Sequence, residues 1–369
     1  MNNSILGKLK EIIEEKFHVG PKGIIGIDIG LSAVKLAEVV KVGDGGYKIT
    51  NYVSVELPEG TIIEDEIQKE DILLKSIQDG LKQLNSSSKW ACLGLSGPNT
   101  LIKRLQLAGG TLDEIEDNVN WEIEQYLPFP IDDGNVSFSV MGENQGGGVD
   151  VIIGAAKKTV IEAYKDILKR AGVNVKIIDL CAASTINVFE HVMSDIADQH
   201  GTTWIILDLG AQKTQFMIYK NRIMVFFKEI SIGGLTITEE IQRQMGVNYL
   251  EAESLKIHGD GKGNIPEEII EIINQVLDSF FAELKKTIDF WVSSSSEEAF
   301  DGCILTGGGA LIPGIVEALQ DVVGTDVQIL NPFSKMIYNQ NKISEEQIND
   351  IAYRGVCALG LAMRTIKND

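Results

Sequence analysis

An internal duplication constrains the fold of this chain more than any other feature of its sequence. Residues 23–40 read GIIGIDIGLSAVKLAEVV, an apolar run that ends in Asp28-x-Gly30 and is followed within a few residues by a second apolar run. A later stretch, WIILDLGAQKTQFMIY, repeats this pattern with Asp208 and Gly210. Apolar runs joined by a tight turn predict β-hairpins. Because the pattern occurs once in each half of the chain, the sequence predicts two related lobes.

Composition limits the class of protein and of partner. With 369 residues, 44% hydrophobic and 23% charged, the chain is long enough for two or more globular domains. A formal net charge of −20 argues against a nucleic acid partner, because phosphate binding requires clustered Lys and Arg. The four cysteines are far apart and form no CxxC pair, which favours reduced, buried thiols of a cytosolic protein over a disulfide framework or a zinc site. They are Cys92, Cys181, Cys303 and Cys357.

The N-terminal stretch SILGKLKEIIEEKF has apolar residues at helical spacing and predicts an amphipathic helix within residues 1–22. Two roles are open for this helix: packing on the body of the protein or on a partner, and lying on a membrane surface. Its balanced Lys and Glu residues argue against the second role, because helices that lie on membranes are usually basic. The sequence predicts no transmembrane segment and no signal peptide.

The order of the predicted elements divides the chain into lobes and insertions. Three strands, a helix and a strand open the chain, as in a ribonuclease-H-like unit, and a strand-helix-strand-strand module follows. The sequence TLDE at Thr111–Glu114 predicts a capping box at the start of the helix in this module. The predicted divisions are an N-terminal helix (1–22), a first lobe (23–100 and 158–200), an inserted module (101–157), a second lobe (201–232 and 299–369) and a helical subdomain (233–298).

Glycines and carboxylates recur at the turns that would face a common cleft. Small residues at the two hairpin turns let backbone N–H groups approach phosphate oxygens. The aspartates, which phosphate would repel, would instead hold a hydrated Mg²⁺ ion, and Lys35 would balance the phosphate charge. The sequence TGGG at 306–309 lies between a predicted strand and a helix, where it would let an adenine ring lie flat on the backbone. Gly233 and Gly234 form another flexible pair before a helix.

These three motifs stand in the order of the phosphate-1, phosphate-2 and adenosine motifs of the actin/Hsp70/sugar-kinase ATPase fold, which the chain resembles. Two longer phrases, WEIEQYLPFPIDD (121–133) and ALGLAMRTI (358–366), are similar to those of the PilM family of type IV pilus assembly proteins, an FtsA-like group within this fold. The resemblance covers about residues 23–366. It implies an α/β, actin-like fold of two ribonuclease-H-like lobes with an inserted SHS2-like module.

The resemblance also implies roles for individual residues. Asp28 and Asp208 would hold Mg²⁺ through water, and Glu253 and Lys256 would meet the ribose and base of ATP. For the latter two, an ordinary i, i+3 ion pair on the helix surface is the alternative. The residues implied to bind the nucleotide are Asp28, Gly30, Ser32, Lys35, Asp208, Gly210, Thr214, Gly233, Gly234, Glu253, Lys256, Gly307, Gly308 and Gly309.

Three departures from the family pattern bear on hydrolysis. Leu31 stands where the phosphate-1 turn usually has a serine, unless Ser32 replaces it, and Ala211 stands where some relatives have a second acidic residue. Cys181 stands where a Glu or Gln usually orients the attacking water, a task for which a thiol is poorly suited. These changes predict that ATP binds but is hydrolysed slowly at most, so whether the chain is an enzyme stays open.

The leading hypothesis is an ATP-binding scaffold of the type IV pilus machinery. The resemblance implies that it is cytoplasmic and reaches the inner membrane by binding the cytoplasmic N-terminal tail of a PilN-like protein, in a groove near residues 101–108. Nucleotide state would be coupled to that binding, and other pilus components and self-association remain open. The alternatives are an FtsA-like filament-forming division protein, against which the lack of a membrane helix after RTIKND argues, and a sugar-kinase-like phosphotransferase, which lacks an evident catalytic carboxylate.

Overall fold

The structure is a computed structural model, and it describes residues 23–43, 45–63, 66–144, 146–261, 264–295 and 299–365. The helix predicted within residues 1–22 lies outside these ranges. No helix in the ranges described combines the length and apolarity that a membrane span requires. The strands are β1 (Ile25–Ile29), β2 (Ala33–Val42), β3 (Gly46–Glu56), β4 (Ile62–Ile63), β5 (Glu66–Ile67), β6 (Trp90–Leu95), β7 (Thr100–Leu107), β8 (Gly134–Glu143), β9 (Val149–Lys157), β10 (Asn174–Leu180), β11 (Thr203–Leu209), β12 (Thr214–Lys220), β13 (Ile223–Ile230), β14 (Gly302–Thr306), β15 (Val327–Ile329) and β16 (Ile337–Tyr338).

The helices alternate with these strands along the chain. The described helices are α1 (Glu70–Leu84), α2 (Leu112–Ile123), α3 (Lys158–Ala171), α4 (Cys181–Val192), α5 (Ser194–Ala197), α6 (Gly234–Met245), α7 (Tyr249–His258), α8 (Glu267–Ser294), α9 (Ile315–Val323), α10 (Glu345–Arg354) and α11 (Val356–Ala362). Short 3-10 turns lie at Ile131–Asp133, Gly308–Leu311 and Pro332–Ser334.

Two sheets with the same topology form the frame of the molecule. The first has the strand order β10-β6-β1-β2-β3-β16 and the second β13-β12-β11-β14-β15. In each, the opening three strands form an antiparallel meander, and two later strands continue the sheet in parallel on the other side of the opening strand. The first sheet has β16 as an additional edge strand beside β3. The duplication in the sequence is therefore a duplication of the sheet.

The inserted module forms a third, smaller sheet with its own core. Its strands have the order β7-β9-β8, so both β7 and β8 are edge strands. Helix α2 covers one face of this sheet, and its apolar residues Ile115, Val119 and Ile123 are buried. The predicted capping box is present, because Thr111 Oγ1 accepts the N–H of Glu114 while the Glu114 carboxylate accepts the N–H of Thr111.

The largest core lies between the two lobes. It joins Phe189 of α4 and Leu359 of α11 to Met217 and Tyr219 of the second sheet. The chain crosses from one lobe to the other at this place, so the cleft between the ends of the hairpins lies beside the region that connects the lobes. A packed connection of this kind transmits a shift of one lobe to the other.

The C-terminal residues complete the first lobe. Strand β16 pairs in parallel with β3, and α11 packs against β1, β2 and α4. Contact is close enough that a Cβ at Gly26 would lie 2.1 Å from the Ala358 carbonyl oxygen, and one at Gly360 would lie 2.0 Å from that of Ser184. The division predicted from the sequence placed 299–369 in the second lobe as a whole. The local pattern could not show this return, because it depends on packing between residues far apart in sequence.

Candidate functional site

The two hairpin aspartates and Lys35 lie near one another. Asp28 lies opposite Lys35 in the β1–β2 pair, and the Lys35 Nζ atom is 3.1 Å from Asp28 Oδ2. Both side chains are largely buried. Asp208 lies at the end of β11, and the charges of Asp28 and Lys35 both affect its pKa. The structure thus brings together three of the predicted site residues, one carboxylate from each lobe and the lysine.

The surroundings of these groups shift their proton affinities. Burial and the nearby charge of Asp28 raise the pKa of Asp208 to about 6, although Lys35 acts in the opposite direction. Burial alone would lower the pKa of Lys35, but the charge and hydrogen bond of Asp28 outweigh it and the pKa is raised. Lys35 therefore stays cationic at neutral pH. A cation bound beside Asp208 would favour its ionised form.

The turns that follow the two aspartates have the same backbone hydrogen bond. The Gly30 N–H donates to the Ala33 carbonyl at 3.0 Å, and the Gly210 N–H donates to the Lys213 carbonyl at 3.1 Å. Ser32 lies in the first of these turns and is partly exposed, as are the residues of the second. The two lobes therefore present matching tight turns to the space between them.

The three glycines of the TGGG motif have different structural roles. A Cβ at Gly307, where φ is +88°, would lie 2.5 Å from Asp208 Oδ1, and one at Gly309 would lie 1.4 Å from Leu209 Cδ2. At Gly308 the nearest atom would be Arg354 Cγ at 3.5 Å, an ordinary contact. Gly307 and Gly309 are therefore required for packing against the end of β11, whereas Gly308 borders open space.

The Gly233-Gly234 pair shows the same distinction. A Cβ at Gly233 would lie 2.5 Å from the Ala211 carbonyl oxygen, while one at Gly234 would meet Lys256 Nζ only at 3.8 Å. The Gly234 N–H donates to the Gly210 carbonyl at 3.0 Å, which fixes the start of α6 against the turn that follows Asp208. Gly234 and Gly308 are thus the two glycines with room for a flat group.

The predicted pair Glu253 and Lys256 is connected to this glycine. Lys256 Nζ lies 2.7 Å from Glu253 Oε2, 2.8 Å from Thr238 Oγ1 and 3.1 Å from the Gly234 carbonyl oxygen. The i, i+3 ion pair is present, and it is also anchored to the glycine turn. Burial lowers the pKa of Lys256 against the opposing effect of Glu253. By contrast, Thr214 is fully buried, and its hydroxyl donates a hydrogen bond to the Ile232 carbonyl at 2.9 Å. The proton of this hydroxyl is therefore used within the second lobe.

Arg354 is a cleft residue that the sequence patterns did not single out. It lies at the end of α10, pairs with Asp350 at 3.1 Å and borders Gly308. Its charge acts on both Lys35 and Lys256, so three cationic side chains from separate segments converge on one cleft. Arg354 is distant in sequence from the two hairpin motifs and the TGGG motif, and no local signal distinguishes it from an ordinary helix-ending arginine.

The residues present fit a nucleotide with its Mg²⁺ ion. Thr306 and Gln215 flank Asp208 on the neighbouring strands, and their side-chain oxygens are buried with no partner in the described part of the chain. The same is true of Gln212 Oε1 in the second turn. Buried polar atoms of this kind need a hydrogen-bond partner, which a bound polar group or ordered water supplies. Two carboxylates suit a hydrated Mg²⁺, the cations suit phosphate, and the open glycines suit a purine ring.

Comparison with known proteins shows which family and which solved structures this chain resembles. The sequence model of "Type IV pilus assembly protein PilM" matches residues 26–366. A solved "PilM-PilN type IV pilus biogenesis complex" is similar in structure, with a TM-score of 0.81 and 25% identity, covering 93% of this chain and 98% of that one. The ethanolamine utilization protein EutJ from Carboxydothermus hydrogenoformans shares the fold, with a TM-score of 0.52 and 13% identity over 94% of this chain and 90% of that one.

A more distant likeness links the chain to a division protein. The cell division protein FtsA of Enterococcus hirae is 23% identical over 197 residues, which are 47% of this chain and 43% of that protein. The match thus spans less than half the length of that relative. Together with the repeated sheet topology, these likenesses confirm the predicted actin-like ATPase fold and the predicted similarity to FtsA.

Proposed function

Because the chain belongs to the PilM family of type IV pilus assembly proteins, we propose that it is a cytoplasmic scaffold that binds ATP-Mg²⁺ and a PilN-like partner. The name of the solved complex states that PilM and PilN assemble with each other. The proposal here is that this chain binds the cytoplasmic N-terminal tail of a PilN-like inner-membrane protein. It is held at the inner membrane by that contact, and nucleotide binding changes its affinity for the tail.

The roles of the cleft residues follow from their chemistry. Asp28 and Asp208 hold the waters of Mg²⁺, and Lys35 binds phosphate oxygens. The ion, when bound, neutralises part of the phosphate charge. Gly234 and Gly308 leave room for the base, and Lys256 and Arg354 are the cations that border it. Because none of these groups is a carboxylate placed by α4 to orient water, and Cys181 begins that helix, hydrolysis is slow.

One carboxylate connects the phosphate turn with the inserted module, and this observation carries the proposed coupling. Glu229 of β13 lies 3.5 Å from the Nζ atom of Lys213, which belongs to the second phosphate turn. Its other oxygen accepts the N–H of Gly97 at 3.2 Å, just before β7 of the inserted module. Strand β13 also lies against β7. A displacement of the Lys213 turn by phosphate therefore reaches the module through Glu229 and through the contact of β13 with β7.

Strand β7 is the proposed site of the partner tail. It has β9 on one side, and the order of its sheet leaves its other edge without a strand partner among the described residues. An extended peptide that pairs with such an edge gains main-chain hydrogen bonds, and pockets for alternate side chains give specificity. The Gly97 contact lies at the start of this strand, so the partner and the nucleotide act on neighbouring parts of the same element.

Calorimetric titration tests both parts of the proposal. We expect the wild type to bind ATP-Mg²⁺ and Asp208→Ala to bind it much more weakly, with thermal unfolding showing that the variant is folded. A PilN-type tail peptide is expected to bind the wild type with an affinity that depends on ATP. Glu229→Gln, which keeps the shape of the side chain, is expected to bind both ligands with little dependence of one on the other. Failure of the tail to bind with or without ATP would refute the partner proposal, and equal ATP affinity of wild type and Asp208→Ala would refute the nucleotide site.

A further inference from the structure

Two buried cysteines and a carboxylate meet at the floor of the cleft. A carboxylate oxygen of Asp28 and the Sγ atoms of Cys181 and Cys357 all lie within 4.8 Å of one another. No other group of three ligand-type side chains this compact is present in the described part of the chain. The spacing of the cysteines along the sequence gave no indication of this cluster, because the return of the C-terminal segment to the first lobe creates it.

Three separate elements hold the cluster in place. Asp28 lies near the end of β1, Cys181 is the first residue of α4, and Cys357 is the second residue of α11. A Cβ at Gly94 would lie 2.9 Å from Cys181 Sγ, so strand β6 closes one side of this thiol. The two helices pack against each other and against β1. The ligand atoms are therefore positioned by the core of the lobe rather than by a loop.

The donor set selects a particular class of metal ion. Zinc takes four ligands in a tetrahedral arrangement at about 2.0–2.3 Å, from thiolate, imidazole or carboxylate groups. Two sulfurs and one oxygen that already lie this close require only small side-chain rotations to reach such distances. Thiolates are poor ligands for Mg²⁺, which prefers oxygen, so the pair of sulfurs suits a softer divalent cation. Three protein ligands leave the fourth position for water.

The cluster is largely buried and lies beside charged groups of both signs. Asp28, Cys181 and Cys357 retain between 7% and 9% of their surface exposed. Asp208 lies near enough to add a second negative charge. The Lys35 Nζ atom lies 3.1 Å from Asp28 Oδ2, so a bound cation would compete with Lys35 for this carboxylate. Zinc binds cysteine as the thiolate, so its binding would release the protons of both thiols.

We propose that Asp28, Cys181 and Cys357 form a binding site for one Zn²⁺ ion. The site is distinct from the hydrated Mg²⁺ proposed for ATP, which the aspartates hold through water. Because Asp28 belongs to both sites, zinc binding lowers the affinity for ATP-Mg²⁺. Zinc thereby acts as an antagonist of the nucleotide at the phosphate end of the cleft.

Cobalt titration of the reduced, nucleotide-free full chain tests this proposal without relying on ATP binding. We expect one equivalent of Co²⁺ to give the thiolate-to-metal absorption and the visible bands of a tetrahedral site, and Zn²⁺ to abolish both. Cys181→Ser and Cys357→Ser should each lose the signal. Cys303→Ser is the control at a buried cysteine outside the cluster, since Cys303 lies in the second sheet, and it should retain the signal.

Two results would overturn the proposal. One is a folded wild type, as judged by circular dichroism, that gives no thiolate-dependent absorption at a stoichiometric amount of cobalt. The other is a signal that persists in the Cys181→Ser, Cys357→Ser double variant or that disappears equally in Cys303→Ser. Either result would show that the two thiols are only small buried side chains. Circular dichroism of each serine variant separates loss of a ligand from loss of the fold.

Discussion

Gly308 gives a direct test of where the base of a nucleotide lies. Replacement by valine adds a side chain whose Cβ would meet no atom closer than Arg354 Cγ at 3.5 Å. The φ angle at Gly308 lies outside the left-handed region, so the backbone accepts a side chain. We therefore expect Gly308→Val to fold normally and to fill the space that the proposed function assigns to the purine.

The size of the effect follows from the contact that would be lost. A purine ring lying on this backbone buries on the order of 80 Å² of one face, and about 25 cal/mol per Å² gives about 2 kcal/mol. Since about 1.4 kcal/mol corresponds to a tenfold change, the Kd for ATP-Mg²⁺ should rise about 30-fold. Calorimetric titration measures this change directly. Thermal unfolding of the same sample should show a midpoint close to that of the wild type.

Gly309→Ala is the matched control at the neighbouring position. Its Cβ would lie 1.4 Å from Leu209 Cδ2, so the substitution forces the end of β11 to shift. We expect a loss of about 1–3 kcal/mol in the free energy of unfolding, measured by urea denaturation. A Gly308→Val protein that is folded and binds ATP with wild-type affinity would refute the placement of the base. Unchanged stability of Gly309→Ala would refute the packing role of this glycine.

Three further predictions concern stability and charge. Since burial raises the pKa of Asp208 from 3.8 to about 6, the folded state binds a proton more tightly than the unfolded state. The free energy of unfolding without nucleotide should therefore fall, by about 2 kcal/mol, as the pH rises from about 4 to about 6. Asp208→Asn should flatten that part of a pH series of urea denaturations. Gly360→Ala, whose Cβ would lie 2.0 Å from the Ser184 carbonyl oxygen, should lower the free energy of unfolding by about 1–3 kcal/mol, and an unchanged midpoint would contradict the packing of α11 on α4. Arg354→Met should weaken ATP binding in calorimetry with little change in stability, whereas Arg243→Met, which removes an exposed partner of Glu240, should leave the affinity unchanged.

The sequence predicts the parts of this molecule that depend on short-range pattern. Alternating apolar runs and tight turns predict the two hairpins. The contact between Asp28 and Lys35 follows from strand pairing in the first hairpin. The capping box at Thr111 is likewise a matter of residues three apart. Repetition of the Asp-x-Gly hairpin motif predicts the two lobes, because related hairpins imply related sheets.

The features that were missed depend on contacts between distant segments. The atoms nearest to a Cβ at Gly308 belong to Arg354, and those nearest to a Cβ at Gly309 belong to Leu209. Both neighbours are distant in sequence, so no local pattern shows which glycine has open space beside it. The buried hydroxyl of Thr214 bonds to Ile232 across the sheet for the same reason. The roles implied for these residues by resemblance remain predictions, and the substitutions above distinguish among them.

The return of the C-terminal segment to the first sheet has a consequence for how the protein is made. During synthesis β1 and β2 leave the ribosome early, but α11, which covers them, follows more than 300 residues later. The face of the opening hairpin that α11 covers therefore stays exposed until nearly the whole chain has been translated. Long-range contacts of this kind slow folding and leave partly folded chains prone to aggregation. We expect nascent chains that stop before Val356 to depend on chaperones, even though both sheets already have most of their strands.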